Sequence, residues 1–570
     1  MSTRLWLLLA PIFLAHSYLV WRRLLAYLRY FQQEGYEHVR FLAWTGVRSL
    51  TDPAFWLAIG CALIVGPSVS SGAISASGAT GASSATGGEM PDLTVAPAIT
   101  VAIVSTTIVF VSAAILLGLA QPDPRRSGKV PLKLTWRAMR VLGVAYGVAS
   151  VTWLILALAS SQAPVRSALI VSAIVFAIAP LILIAANTCS MPYERHVQRS
   201  YEADAVQRVN DVRPFIIGIT GSYGKSSAKS MLAHILQYKA PTLAASGSIN
   251  TLMGVTRHIR EELVSGHRFM VVEMGAFKTG SIRRLCALTP PSAGLITAVG
   301  DMHLERFGST EEIIRAKSEL ASAVPPGGLV VVNADSPGAL RIARGAAERR
   351  VLLYGETSTE NLDTRLEQVT FSARGTTFML RTRERTWTCF TPLLGRPIVL
   401  NLAGAFTLAA AVGVDPELIV ASFRALKPVS NRLEVVEENG ITWIRDAYNS
   451  NQFGFRAALE VVAALPSERR FLATPGVIEL GPQQFDVNRA LSRAAAEVCD
   501  RTLVVAETNR EAFVAGHREA GREDRLLPVS GRTAAFRWLN ENLKSGDAVI
   551  LENDLPDLYE KSAGVFWKAS

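Results

Sequence analysis

From residue 213 onward the chain alternates short apolar runs with stretches whose apolar residues recur at helical spacing. The first run, Pro214-Phe-Ile-Ile-Gly-Ile-Thr220, predicts a buried strand, and Ala228-Lys-Ser-Met-Leu-Ala-His-Ile-Leu236 predicts the helix after it. Phe269–Glu273, Ala293–Thr297 and Gly328–Asn333 read as further strands, separated by helical segments such as Glu311–Ala323. This alternation predicts an α/β domain over 213–428 with a largely parallel sheet. Within it, the Thr/Arg-rich alternation of residues 367–390 predicts a hairpin insertion. The pattern restarts after about residue 429, with strands at Thr442–Arg445, Arg470–Ala473, Thr502–Val505 and Ala548–Leu551, and predicts a second α/β domain over 429–570. The first 187 residues differ: apolar stretches near 5–21, 54–72, 97–119, 139–160 and 166–187 are each about long enough to cross a bilayer. Residues 188–212, rich in charge, read as a polar, partly helical linker.

Composition and charge refine this organisation. Hydrophobic residues make up 49% of the chain and mean hydropathy is +0.25, and the apolar excess sits before residue 190. The formal net charge of +10 contains no run of five basic residues, so it reads as charge flanking membrane segments and not as a nucleic-acid surface. Loop 22–53 carries Arg22, Arg23, Arg29, Arg40 and Arg48, and loop 120–138 carries Arg125, Arg126, Lys129, Lys133 and Arg137. Loop 73–96 has no Lys or Arg and ends in Glu89 and Asp92. The positive-inside rule then predicts a multi-pass protein of the cell membrane, N-terminus outside and everything after Tyr193 cytoplasmic. The first stretch follows Arg4 as a signal peptide would, but Trp21-Arg22-Arg23 offers no small-residue cleavage site, which favours an uncleaved anchor. Few ionisable residues fall in the spans, so they read as an anchor, with a platform for a lipid substrate as the alternative. Five widely spaced cysteines without Cys-x-x-Cys argue against a disulfide framework or zinc site and fit reduced thiols.

The chemistry centres on Gly218-Ile-Thr-Gly-Ser-Tyr-Gly-Lys-Ser-Ser227, a glycine loop between strand and helix. In that setting Gly221 and Gly224 let backbone N–H groups turn onto phosphate oxygens, Lys225 neutralises the terminal phosphates and Ser226 ligates Mg²⁺. The ordinary alternative, a plain glycine turn, does not account for the flanking pattern. Glu273 ends a strand, where a carboxylate serves as a Mg²⁺ ligand, a helix cap or a solvated strand end. His303 follows another strand, and Lys317 sits on an amphipathic helix where composition alone reads it as solvated. Arg432 and Asp446 open the last domain and suit a clamp on phosphate and ribose across a cleft.

Together these pieces resemble the Mur ligase family of ATP-dependent amide ligases, nearest to the type that adds D-alanyl-D-alanine to UDP-N-acetylmuramoyl tripeptide. The likeness spans about 213–555 and rests on the glycine loop, Glu273-Met-Gly-Ala, His303-Leu-Glu-Arg-Phe-Gly-Ser, Arg315-Ala-Lys-Ser-Glu, Val332-Asn-Ala-Asp and Asp446-Ala-Tyr-Asn-Ser-Asn. It implies a P-loop central ATPase domain and a Rossmann-like C-terminal domain behind the α-helical transmembrane region. It further implies that Thr220, Gly221, Ser222, Tyr223, Gly224, Lys225, Ser226 and Ser227 hold ATP, with Asn401 at the adenine and Arg432 and Asp446 clamping from the last domain. Ser226, Glu273, His303 and a CO₂-carbamylated Lys317 would hold Mg²⁺, and Asn250, Thr251, Tyr448 and Asn449 would face the substrates. Lys225, His303 and Lys317 would be catalytic. The implied reaction activates a carboxylate as an acyl phosphate and joins it to the amine of an amino acid or dipeptide. Peptide or muramoyl-peptide substrates, UDP- or lipid-linked, and other envelope-synthesis proteins are the implied partners.

The chain also departs from the family. Apolar stretches stand where the family carries its UDP-sugar-reading domain, and Gly395-Arg-Pro-Ile replaces Gly-x-His-Asn. Thr474-Pro-Gly-Val-Ile-Glu-Leu-Gly and Glu552-Asn-Asp-Leu-Pro-Asp replace the segments expected around the second substrate, an ending shared by a membrane-attached branch of Mur-like proteins. Two other functions therefore stay open beside wall-precursor ligation: an amino-acid polymer synthetase of the poly-γ-glutamate kind, and a nucleotide-dependent membrane scaffold. Retention of Lys225, Glu273, His303 and Lys317 together speaks against the scaffold.

Overall fold

The structure is a computed structural model that describes residues 3–49, 95–120, 122–126, 130–159, 164–302, 304–447 and 451–554. It divides into two compact units, one N-terminal up to His196 and one from Val197 onward.

The N-terminal unit is helical, with helices Thr3–Gln33, His38–Ser49, Val95–Ala120, Trp136–Ala159 and Pro164–Ala177 and the first part of Ala179–Val212. Its core includes Ile12, Tyr27, Phe31, Phe41, Val141 and Trp153. The Trp153 indole N–H is satisfied inside that core, 2.8 Å from Ser172 Oγ. Among the described residues, Trp136–Ala159 is the helix long and apolar enough to cross a membrane. The segment read as one span over 166–187 is instead a pair of helices bent by 70°. Pro180 explains the break: it lacks an N–H, and its ring disfavours helical backbone at the residue before it. Residues 188–212, read as a linker, continue the helix Ala179–Val212. The stretch 54–72 and the loop 73–94 lie outside the described residues.

The second unit is built on two sheets. Strands β1 (Phe215–Thr220), β2 (Thr242–Ala244), β3 (Phe269–Glu273), β4 (Ala293–Ile296), β5 (Leu329–Asn333), β6 (Arg350–Gly355), β7 (Thr364–Ser372), β8 (Gly375–Arg381) and β9 (Thr386–Thr391) form the first, in the order β2-β3-β1-β4-β5-β6-β7-β8-β9. It is parallel from β2 to β7, and both faces of β1, β3, β4 and β5 are buried, which is why they read as unbroken apolar runs. The expected hairpin insertion is instead the antiparallel meander β7-β8-β9, joined to the same sheet where Tyr354 of β6 pairs with Thr364 of β7. Helices Lys225–Leu236 and Arg396–Ala411 pack together over one face of this sheet.

The second sheet contains β10 (Glu434–Glu438), β11 (Ile441–Asp446), β12 (Arg470–Thr474), β13 (Arg501–Val505), β14 (Leu526–Val529) and β15 (Ala548–Glu552), ordered β10-β11-β15-β12-β13-β14. All but β10 run parallel. The C-terminal ends of β11, β15 and β12 therefore lie side by side and deliver Asp446, Glu552 and the loop after Thr474 to one edge, the end of a parallel sheet where ligands gather.

Candidate active site

The glycine loop sits where β1 hands over to helix Lys225–Leu236. Gly221 has φ 155° and Gly224 has φ 81°. A Cβ on Gly221 would come within 1.9 Å of Thr297 Oγ1, and one on Gly224 within 2.5 Å of Asn401 Nδ2. Glycine is required at both positions by backbone angle and by space. The loop is fastened to the segment after β4: the Ser222 N–H donates to Ala298 O at 2.7 Å, Ser222 Oγ to Gly300 O at 2.8 Å, and Thr297 Oγ1 to Tyr223 O at 2.5 Å. Thr220 is spent on the fold, its hydroxyl donating to Met274 O at 3.0 Å.

Two lysines converge on this loop. Lys225 Nζ donates to Gly221 O at 2.8 Å and Ser222 O at 3.1 Å, and Lys317 Nζ reaches the same Gly221 O at 3.0 Å. Burial brings the Lys225 amine down to about 8 against the attraction of Glu273. Burial, then the neighbouring Lys225 charge, hold Lys317 well below the ordinary lysine range. Burial of this kind favours the neutral, nucleophilic amine over the ammonium.

Glu273, at the end of β3, is 2% exposed and accepts a 3.0 Å hydrogen bond from Asn250 Nδ2 on Oε1. Its Oε2 lies 3.5 Å from Lys229 Nζ and accepts no hydrogen bond. A buried carboxylate oxygen without a donor, beside a glycine cradle that any side chain would fill, is the environment a phosphate-bound Mg²⁺ needs. The residues present fit the group. Lys229 was missed in the sequence, where a lysine one turn after Lys225 reads as solvated. It is 1% exposed and also donates to Gly247 O. The available signal was its position on the helix face that carries Ala228, Met231, Leu232 and Ile235.

Arg432 arrives from the start of the second sheet's domain, its Nη2 3.2 Å from Ser226 Oγ and 3.0 Å from Ser248 Oγ. Asp446 accepts the Leu433 N–H at 3.2 Å, and burial pushes its carboxyl up to about 6 against the pull of that N–H and of Arg432. A cavity of about 430 Å³ opens beside the loop, lined among others by Tyr223, Asn401, Glu356, Arg396, Phe453 and Glu460. Arg396, on the Gly-Arg-Pro-Ile segment, bridges two walls of this cavity. It donates to Glu460 of the C-terminal domain at 2.8 and 3.0 Å and pairs with Glu356 of the central one. The structure thus brings Tyr223, Gly224, Lys225, Ser226, Glu273, Lys317, Asn250, Asn401, Arg432 and Asp446 around one cleft. Ser227 instead lines a second cavity with His234 and the segment 425–433, and Thr251 caps helix Leu252–Glu262 by accepting the Gly254 N–H. His303, Tyr448 and Asn449 lie outside the described residues.

Comparison with known proteins gives this arrangement a family. The Mur ligase middle domain matches residues 219–409, and the Mur ligase glutamate ligase domain matches residues 431–552. A UDP-N-acetylmuramoyl-tripeptide–D-alanyl-D-alanine ligase of Mycobacterium tuberculosis is 32% identical over 360 residues, covering 59% of this chain and 70% of that protein. One of the same name from Escherichia coli is 32% identical over 293 residues, covering 51% and 64%. Among solved structures, MurF from Acinetobacter baumannii superposes with a TM-score of 0.57 at 25% identity over 62% of this chain and 77% of its own. MurF from Thermotoga maritima in complex with ADP, 23% identical, shares the fold at a TM-score of 0.56 over 63% and 80%. The chain belongs to the Mur ligase family and is an ATP-dependent acid–amino-acid ligase.

Proposed function

We propose that the chain is a membrane-anchored ligase of cell-envelope peptide assembly. It would activate the terminal carboxylate of a muramoyl peptide with ATP and join it to the amine of an amino acid or of D-alanyl-D-alanine. The observation that carries this reading is the convergence of Lys225, Lys317 and Glu273 at one glycine loop, with Arg432 of the C-terminal domain already touching Ser226. The substrate class follows the names of the Mycobacterium and Escherichia relatives. The anchor rests on Trp136–Ala159 and the bent pair after it, with the N-terminus outside and both catalytic domains in the cytoplasm.

In this mechanism the glycine loop and Lys225 receive the ATP phosphates, and the cavity under Asn401 receives the base and ribose. Ser226, Glu273, His303 and Lys317 would hold Mg²⁺, which would supply positive charge to the phosphates when bound. For Lys317 to act as a ligand its neutral amine adds to CO₂: an N–C bond forms, one C=O π bond opens onto oxygen, one proton leaves to solvent, and the neutral amine becomes a carbamate anion. Lys225 and Arg432 offset the repulsion between the substrate carboxylate and the γ-phosphoryl group. The carboxylate oxygen attacks the γ-phosphorus and ADP leaves; the amine nitrogen then adds to the acyl carbon, the acyl C–O bond breaks to release inorganic phosphate, and the nitrogen gives up a proton as the amide forms. Asp446 and Arg432 keep the C-terminal domain over the reacting groups and exclude water.

The test is ADP release by the full-length protein in detergent with Mg²⁺, against UDP-linked and lipid-linked muramoyl peptides and glutamate, each with and without D-Ala-D-Ala. Release that requires both a muramoyl peptide and an amine supports the reading. Release with glutamate alone, giving a growing product, replaces it with a polymer synthetase. Tight ATP binding without turnover by any pair replaces it with a scaffold.

A further inference from the structure

The cleft is also spanned by an ion pair that the mechanism above does not use. Arg306, on the short helix Leu304–Phe307, donates from Nη2 and Nε to Glu479 Oε1 at 3.1 and 3.2 Å, its guanidinium 5.1 Å from the Phe277 ring centroid. Exposed ion pairs contribute little, but this one is largely withdrawn from water, the two side chains being 24% and 11% exposed. Glu479 is also strained, with φ 63° in a residue that carries a Cβ. Such a conformation persists where its surroundings over-determine it.

Those surroundings are unusually polar. Glu479 belongs to the loop after β12, and three asparagine side chains brace that loop. Asn488 accepts the Val477 N–H at 2.8 Å and donates to Val477 O at 2.9 Å. Asn509 donates to Pro475 O at 2.9 Å and Val477 O at 3.1 Å, and Asn553, just after β15, donates to Gly476 O at 2.6 Å. Asn488 and Asn509 are buried. A short loop held by this many amide bonds carries its carboxylate to a fixed place. On the far side, helix Leu304–Phe307 follows closely on the segment 298–300 that fastens the glycine loop through Ala298 O and Gly300 O.

We propose that Arg306 and Glu479 are a positioning pair: a latch that ties the phosphate-loop side of the cleft to the loop at the end of β12 and holds the C-terminal domain closed while the amine attacks. The proposal rests on the ligase reading for its consequence in turnover, not for the latch itself. Glu479→Gln keeps the shape and removes the charge. The expected result is a fall in kcat of about tenfold, the equivalent of one charge-assisted hydrogen bond, with KM for ATP unchanged. The charge swap Arg306→Glu with Glu479→Arg should recover most of the loss, which a merely structural role would not allow. A second measurement needs no substrate. With Mg²⁺ and a non-hydrolysable ATP analogue, amide hydrogen exchange in residues 304–307 and 475–480 should speed up together in Glu479→Gln, while residues 221–227 stay protected. Unchanged exchange and unchanged kcat in a variant that melts with the wild type overturn the latch. If the wild type turns over no substrate pair, the ligase reading fails, and exchange alone decides the latch.

Discussion

Lys229→Met isolates the buried lysine beside Glu273. In the wild type both side chains are 1% exposed, and Lys229 Nζ is 3.5 Å from Glu273 Oε2. Removing one partner of a buried pair leaves the other charge uncompensated, a cost of about 3–5 kcal/mol. Part of that is returned, because Lys229 is itself desolvated: burial outweighs Glu273 and holds its pKa below the usual lysine value. Asn250 still serves Oε1. The net loss should therefore fall near the lower end, about 3 kcal/mol. Thermal unfolding of the full chain, followed by tryptophan fluorescence, should show a melting temperature several degrees lower. Mg²⁺ with nucleotide should restore more of it than it adds to the wild type, because the metal supplies the missing charge and stabilises by mass action. Adding Glu273→Gln should rescue the apo stability of the single variant, since a buried pair replaced on both sides is far cheaper than one broken. A Lys229→Met protein that melts with the wild type, or that gains nothing from the second substitution, refutes the argument that this lysine compensates Glu273.

Gly224→Ala forces a Cβ into backbone of φ 81° and within 2.5 Å of Asn401 Nδ2, so Mg-ATP affinity by calorimetry should drop at least about tenfold given a left-handed penalty of 1–2 kcal/mol before the clash; wild-type affinity would refute the cradle. Asp446 has its folded pKa raised to about 6 from an unfolded value near 3.8, so its contribution to stability is full below the unfolded value and is lost as pH climbs through 6. Asp446→Asn, which imitates the protonated form, should thus melt above the wild type at neutral pH, with the gain vanishing toward the unfolded value; a gain independent of pH would refute this assignment. Lys317, buried and held below the lysine range, should form a carbamate: ¹³C-bicarbonate should give a bound carbon resonance in the wild type that Lys317→Arg lacks, and identical spectra would count against it.

How much of this was legible in the sequence depends on the range over which each feature is decided. The strand–loop–helix around Gly221 and Lys225 is local, and its glycine spacing and flanking apolar periodicity carried it. Glu273 and Lys317 were found as motif residues, and the resemblance put them at one Mg²⁺ site; not visible was that Gly221 O receives both Lys225 and Lys317 from chain positions far apart, a fact of the β1-β4 register and of the helix Thr310–Ala323 packed over it. Lys229 was missed although its helix face was legible, because periodicity marks a face and not the one polar residue that finds a carboxylate within it. The meander β7-β8-β9 showed its alternation, whereas its junction with β6 is a pairing that no local pattern announces. The 70° bend at residue 178 was announced by Pro180 and lost in an apolar window long enough to read as one span. Arg396 shows the limit most clearly. Its segment read as a departure from the family's Gly-x-His-Asn that makes adenine recognition differ in detail. Folded, Arg396 joins Glu356 of the central domain to Glu460 of the C-terminal one at the wall of the cavity beside the glycine loop. The guanidinium ties the two domains together across the cleft, which the local motif could not announce because Glu356 and Glu460 lie 40 and 64 residues away from it in the chain.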